Sequence, residues 1–276
     1  MGWVSKLETL DRRYVFIFIF LAVLFPLFRP IGLPIRVSKE VQSFYDAIEA
    51  VPEGSTVYLA ADYDPGSLPE LQPMLETAIR QCCKRNLKIV AGSLWPACPP
   101  LVNRAFTQIA EGEFHRKDTV DFVNLGFKEG REVVMVQLGQ DIHTVYPQDY
   151  SGRDLSTLPI MKNVHNYQDL PILINISAGY PGTKEWVQQV RSRYSIPIVA
   201  GCTAVSAPEY YPYVQSGQLA GLLGGLAGAA EYERLVGGSA SAGRKMDAQS
   251  LGHVTIILFI LLGNVVYFLN RKGGRA

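Results

Sequence analysis

The chain has 276 residues, 48% of them hydrophobic, with 26 basic and 25 acidic side chains and a formal net charge of +1. No basic stripe stands out, so nucleic acid is excluded as the expected partner. The apolar content exceeds what a soluble domain needs and fits one domain plus membrane segments.

Residues 14–28 read YVFIFIFLAVLFPLF, carry no charge and predict a membrane helix within an anchor covering 1–36. These residues extend about 22 Å as a helix, short of a hydrocarbon core roughly 30 Å thick. Arg12, Arg13 and Arg29 can snorkel, and residues 31–35 can lie at the interface. A cleaved signal peptide is the rival reading. Arg29 and Pro30 stand where a small-residue cleavage site would fall, which favours an uncleaved anchor.

Residues 37–236 form the expected α/β domain, enough for one buried core and too few for two. An entry helix over 38–50 would be capped by Ser38. Short apolar runs predict strands at 56–61 (TVYLAA), 87–92 (LKIVAG), 132–138 (EVVMVQL), 171–176 (PILINI) and 196–201 (IPIVAG). Helical stretches alternate with them at 68–85, 99–110, 183–194 and 216–235. This pattern predicts a doubly wound, mostly parallel sheet with helices on both faces, flanked by one N-terminal and one C-terminal transmembrane helix.

In such a sheet, ligands bind beyond the carboxyl ends of the strands. That rule gathers Asp62, Asp64, Asp141, His143, Ser177 and Thr203 as candidate ligand-binding residues. Ordinary turn chemistry explains the same residue types, as at Asp64-Pro65-Gly66. Asp62, Asp64, Asp141 and His143 match no metal-ligand spacing, so neither a metal nor a cofactor is expected. Ser177 falls one residue short of a Gly-x-Ser-x-Gly elbow. Pro181 opposes the helix that motif needs, and the only later histidine is His253, so no catalytic residue is assigned. At Gly179 to Lys184, a helix cap by Thr183 is preferred to an anion site. Cys82, Cys83, Cys98 and Cys202 lack zinc spacing and read as buried thiols, a Cys98–Cys202 bridge being conceivable only outside the cytoplasm.

Residues 216–233, SGQLAGLLGGLAGAAEYE, place Gly217, Gly221, Gly224, Gly225 and Gly228 in an expected helix. Each glycine there costs about 1 kcal/mol relative to alanine, so close packing must offset it. That packing is against the sheet or against another subunit. Tyr210, Tyr211 and Tyr213 precede it in an aromatic, proline-rich loop and join it as candidate interface residues.

A flexible Gly/Ser-rich linker is expected over 237–250, then a second span within 251–276, followed by basic residues at 271, 272 and 275. Asn264 lies deep in that span, where it bonds either to another helix or simply to backbone. The basic residues that abut the spans favour both termini in the cytoplasm and the α/β domain outside it. The expected function is a membrane-anchored, non-enzymatic subunit that assembles with itself or other membrane proteins. The alternative is a ligand-binding sensor or enzyme using the strand-end rim.

Overall fold

The computed structural model describes residues 11–29, 31–32, 36–237 and 241–273. The first ten residues, the centre of the expected linker (238–240), part of the 31–35 interface segment and Arg275 lie outside the described residues. The chain divides into two compact units, Ile35–Ala242 and the two ends taken together.

Helix α1 (Arg12–Phe28) opens the described chain, with the Asp11 carboxylate accepting from the Arg13 N–H at 2.9 Å. The α/β unit follows. It begins with α2 (Lys39–Glu49), whose Val41, Phe44 and Ile48 are buried at helical spacing. Then come β1 (Thr56–Asp62), α3 (Leu68–Lys84), β2 (Lys88–Ser93) and α4 (Pro99–Ala105), which runs on through a π-helical stretch, Phe106–Glu111. Next are β3 (Phe122–Phe127), α5 (Arg131–Leu138), α6 (Ile142–Val145), β4 (Leu173–Ser177), α7 (Thr183–Trp186), β5 (Ile198–Cys202), α8 (Ala207–Gln215), β6 (Gly221–Gly224) and α9 (Gly225–Val236).

The six strands form one parallel sheet in the order β3-β2-β1-β4-β5-β6. This is the order of doubly wound nucleotide-binding sheets, and its direction of winding reverses between β1 and β4. Helices α2, α3 and α9 pack together on one face, while α5 and α7 lie on the other. Strands β1, β4 and β5 are buried along nearly their whole length, which is why they read as unbroken apolar runs.

Two elements differ from the sequence reading. EVVMVQL is not the third strand but most of α5. Val134, Met135 and Leu138 are buried while Val133 is 63% exposed, a one-sided pattern that a helix satisfies and a central strand does not. The third strand is FVNLGF. Asn124 and Gly126 are strand-poor residue types, and Gly126 sits at φ +87° beside a register shift against β2.

The expected glycine helix is also corrected: it is strand β6 followed by the start of α9. Its glycines permit close approach inside this unit. A Cβ on Gly221 would lie 2.2 Å from the Phe44 amide nitrogen, and one on Gly225 would lie 2.5 Å from the Ala204 Cβ. Gly224 and Gly228 sit less tightly, a Cβ on each lying 2.9 Å from the Ala207 Cβ and 3.0 Å from the Leu223 carbonyl carbon, whereas Gly217 occupies an open turn. The tyrosines belong to helix α8 rather than a loop; Tyr210 is buried and Tyr211 is exposed. All four cysteines are buried and free.

Helix α10 (Ser241–Gly273) starts ten residues before Leu251, inside the stretch expected to be linker. Phe18 meets Phe259 with centroids 6.2 Å apart, Val23 faces Gly252, and the Ile31 and Gly32 amides donate to Asp247 at 3.0 and 2.9 Å. Contacts that descend one helix as they climb the other make α1 and α10 an antiparallel hairpin. Among the described residues, one helix is long and apolar enough to cross a membrane, Ser241–Leu269. The 17 residues of α1 extend about 26 Å. Its Phe16, Ile17, Phe18 and Phe20 are exposed.

Gly221→Ala drives a methyl into the α2 backbone. Denaturant titration is expected to show a loss of about 2–3 kcal/mol, and an unchanged midpoint would contradict this packing.

Candidate functional site

The strand-order reversal places the ends of β1 and β4 side by side, with Asp62 in register with Ser177. Asp62 is fully buried. Its carboxylate accepts from the Leu94 N–H and from the Trp186 indole N–H, both at 2.7 Å. Burial pushes its pKa up to about 7, and the bonds from Leu94 and Trp186 hold it from rising further. One side chain thus ties the end of β1 to the turn after β2 and to α7.

A neutral polar cluster lies beside it. The Ser177 and Thr183 hydroxyls donate to the Asn175 Oδ1 at 2.9 and 2.8 Å, and the Thr183 N–H donates to the Ser177 Oγ at 2.9 Å. Asn175, Ser177 and Thr183 are all buried. The Ser177 hydroxyl is held inside this cluster with no histidine among its partners, so it has the surroundings of a structural hydroxyl rather than a nucleophile.

The other sequence candidates scatter. Asp64 accepts from the Ser67 N–H at 3.2 Å and caps the turn leading into α3. Glu70, in the first turn of α3, accepts from the Ala204 N–H at 2.7 Å. The first strand–helix connection therefore presents carboxylates, not the glycines that cradle a pyrophosphate. Thr203 pairs with Ser206, hydroxyl to hydroxyl, at 3.1 Å.

Asp141 and His143 require correction, because they follow a helix and not a strand. Asp141 caps α6, accepting from the Thr144 hydroxyl at 2.6 Å and the His143 N–H at 3.1 Å, and the Thr144 bond leads in holding its carboxyl below the usual range. The His143 Nε2 lies 3.1 Å from the Val164 carbonyl, and its ring stacks on His165 with centroids 5.3 Å apart. Both contacts are to the segment leading into the amino end of β4, so the pair is separated from Asp62. Among the described residues no three His, Cys, Asp or Glu side chains gather as a metal site would require.

The rim does hold a cleft of about 210 Å³. Leu94, Trp95 and Pro96 enter it from the turn after β2, Glu129 and Arg131 from the turn after β3, and Tyr180 and Pro181 from the turn after β4. The Trp95 indole donates to the Pro181 carbonyl at 2.9 Å, which fixes one wall to the other. The bond between Tyr180 and Pro181 is cis. The Arg131 guanidinium lies over the Tyr180 ring, 5.1 Å from its centroid, and the Tyr180 hydroxyl donates to Glu132 at 2.6 Å. Arg131 holds a left-handed backbone at φ +49°, a conformation that costs a side-chain-bearing residue about 1 kcal/mol or more and concentrates at functional sites.

Sequence reasoning puts Trp95 on the strand-end rim and reads the stretch holding Tyr180 only as a cap or anion site, but it misses Glu129 and Arg131 altogether. Misplacing the third strand hid Glu129 and Arg131; the signal that could have found them is Gly130, shortly after FVNLGF. Comparison of the chain with family models, curated proteins and solved structures finds no match.

Folding raises the Asp62 pKa, so its contribution to stability is fully present below the unfolded carboxylate pKa of about 4 and is lost as pH rises through about 7. A shift of that size corresponds to a loss on the order of 4 kcal/mol. Asp62→Asn is expected to flatten this part of the stability–pH profile in chemical denaturation, and parallel profiles for the two proteins would show that Asp62 does not titrate there.

Proposed function

We propose that the chain is a membrane-anchored ligand-binding protein whose α/β unit holds a small molecule in the cleft above the ends of β2, β3 and β4. One observation carries this reading. On the carboxyl-end rim of the sheet, to one side of the point where the winding reverses, an open cleft is lined by two aromatic rings and two opposite charges on a backbone held in an unfavourable conformation. Binding is favoured over catalysis because Asp62 is enclosed by its own donors and Ser177 by its own cluster.

The anchoring half of the proposal reads α1 and α10 as two spans. Their antiparallel contacts and exposed apolar side chains support it. The basic residues flanking them favour cytoplasmic termini and an α/β unit outside. Assembly with itself or other membrane proteins is the second reading. The glycines of β6 and α9 no longer support it, but Asn264 does, as an exposed amide within an apolar helix. Asn264→Leu would then reduce the native mass of the gently solubilised protein, and an unchanged mass would remove this support.

Ligand binding is tested by screening small polar compounds for a rise in Tm of the full chain. A hit is expected to lose its effect in Trp95→Ala. A shift that survives this substitution would place the ligand elsewhere.

A further inference from the structure

We propose that the cleft is built for a zwitterion, a small molecule with an N-methylated ammonium group at one end and a carboxylate or phosphate at the other. The inference rests on the reading of this cleft as the ligand site. Glu129 and Arg131 both line it, and among the described residues neither forms an ion pair with the other or with any third side chain. Both side chains are exposed to solvent, so each is open to a ligand. Here Gly130 at φ +130° and Arg131 at φ +49° turn the chain between them.

Each charge has surroundings suited to one half of a zwitterion. Glu129 shares the cleft with the Trp95 ring, and a carboxylate together with an aromatic ring favours a cation. Arg131 offers a planar guanidinium to an anion while its position is steadied by the Tyr180 ring. Leu94, Pro96 and Pro181 supply apolar wall. The Pro181 carbonyl already accepts from the Trp95 indole. A bare ammonium would find few acceptors in such walls, whereas methyl groups on nitrogen meet apolar and aromatic surface.

Two sources share this chemistry, a free solute such as glycine betaine and the phosphocholine headgroup of a lipid. The test uses the full chain in a sugar-headgroup detergent, with tryptophan fluorescence and Tm followed during titration with glycine betaine, phosphocholine, choline and acetate. One of the two zwitterions is expected to saturate the signal at a concentration at least about ten-fold lower than choline or acetate requires. Preference for glycine betaine assigns a free solute, and preference for phosphocholine assigns a headgroup. Glu129→Gln should weaken zwitterion and choline binding and spare acetate. Arg131→Gln should weaken zwitterion and acetate binding and spare choline. Both variants should keep the ligand-free Tm, which shows that they fold.

Zwitterions that bind no better than their halves, or binding indifferent to both substitutions, would overturn the inference. If an uncharged compound binds through Trp95 while zwitterions do not, the ligand class is wrong and the site stands. If no compound in either screen perturbs the protein, both fall.

Discussion

The α/β unit depends on one buried carboxylate. Asp62 stands where the sheet reverses its winding, and its two strong donors come from opposite sides of that reversal, Leu94 after β2 and Trp186 in α7. An uncompensated charge in such a place is expensive, and two short bonds offset only part of the cost, which is why the group holds its proton to near neutrality. The return is geometric. The turn that carries Trp95 and the helix that follows Pro181 are fixed to the two oxygens of one carboxylate, so the two walls of the cleft keep their spacing.

The same position sets this sheet's first turn apart from a glycine-rich one. Its strand order is shared with folds that bind dinucleotides at the first strand–helix turn. In this chain that turn holds Asp62, Tyr63 and Asp64, with Tyr63 buried and Asp64 bonded to Ser67. The Ser67 amide, at the start of the helical turn, is met by the chain's own Asp64 carboxylate. The cleft proposed as the ligand site lies to the side, at the turns after β2, β3 and β4, where among the described residues Glu129 and Arg131 form no ion pair and two walls are aromatic.

Much of the fold was legible because burial on both faces writes continuous apolar runs. TVYLAA, LKIVAG, PILINI and IPIVAG fall on four of the six strands. The other two were hidden for physical reasons. FVNLGF interrupts its apolar run with a polar residue and a left-handed glycine, while EVVMVQL imitates a strand because a window of about two helical turns is too short to separate period 2 from period 3.6. GLLG in β6 was absorbed into a helix because small residues report closeness of packing, not its partner. The site was legible only in outline. The rule about strand ends located the rim, and Asp62 belongs there, but side-chain direction decides whether a rim residue faces ligand or core. Asp62 and Ser177 face inward, while Trp95 and Arg131 face the cleft. Asp141 and His143 left the rim with the strand that was supposed to carry them.

The most direct measurement is a pH titration of the full chain by nitrogen-resolved NMR, following the Trp186 indole N–H and the Leu94 amide. The account predicts that both signals move together through a single transition near pH 7, as the carboxylate they share gains its proton. Two signals that stay fixed, or that titrate with separate midpoints, would contradict the claim that Asp62 joins the walls of the cleft.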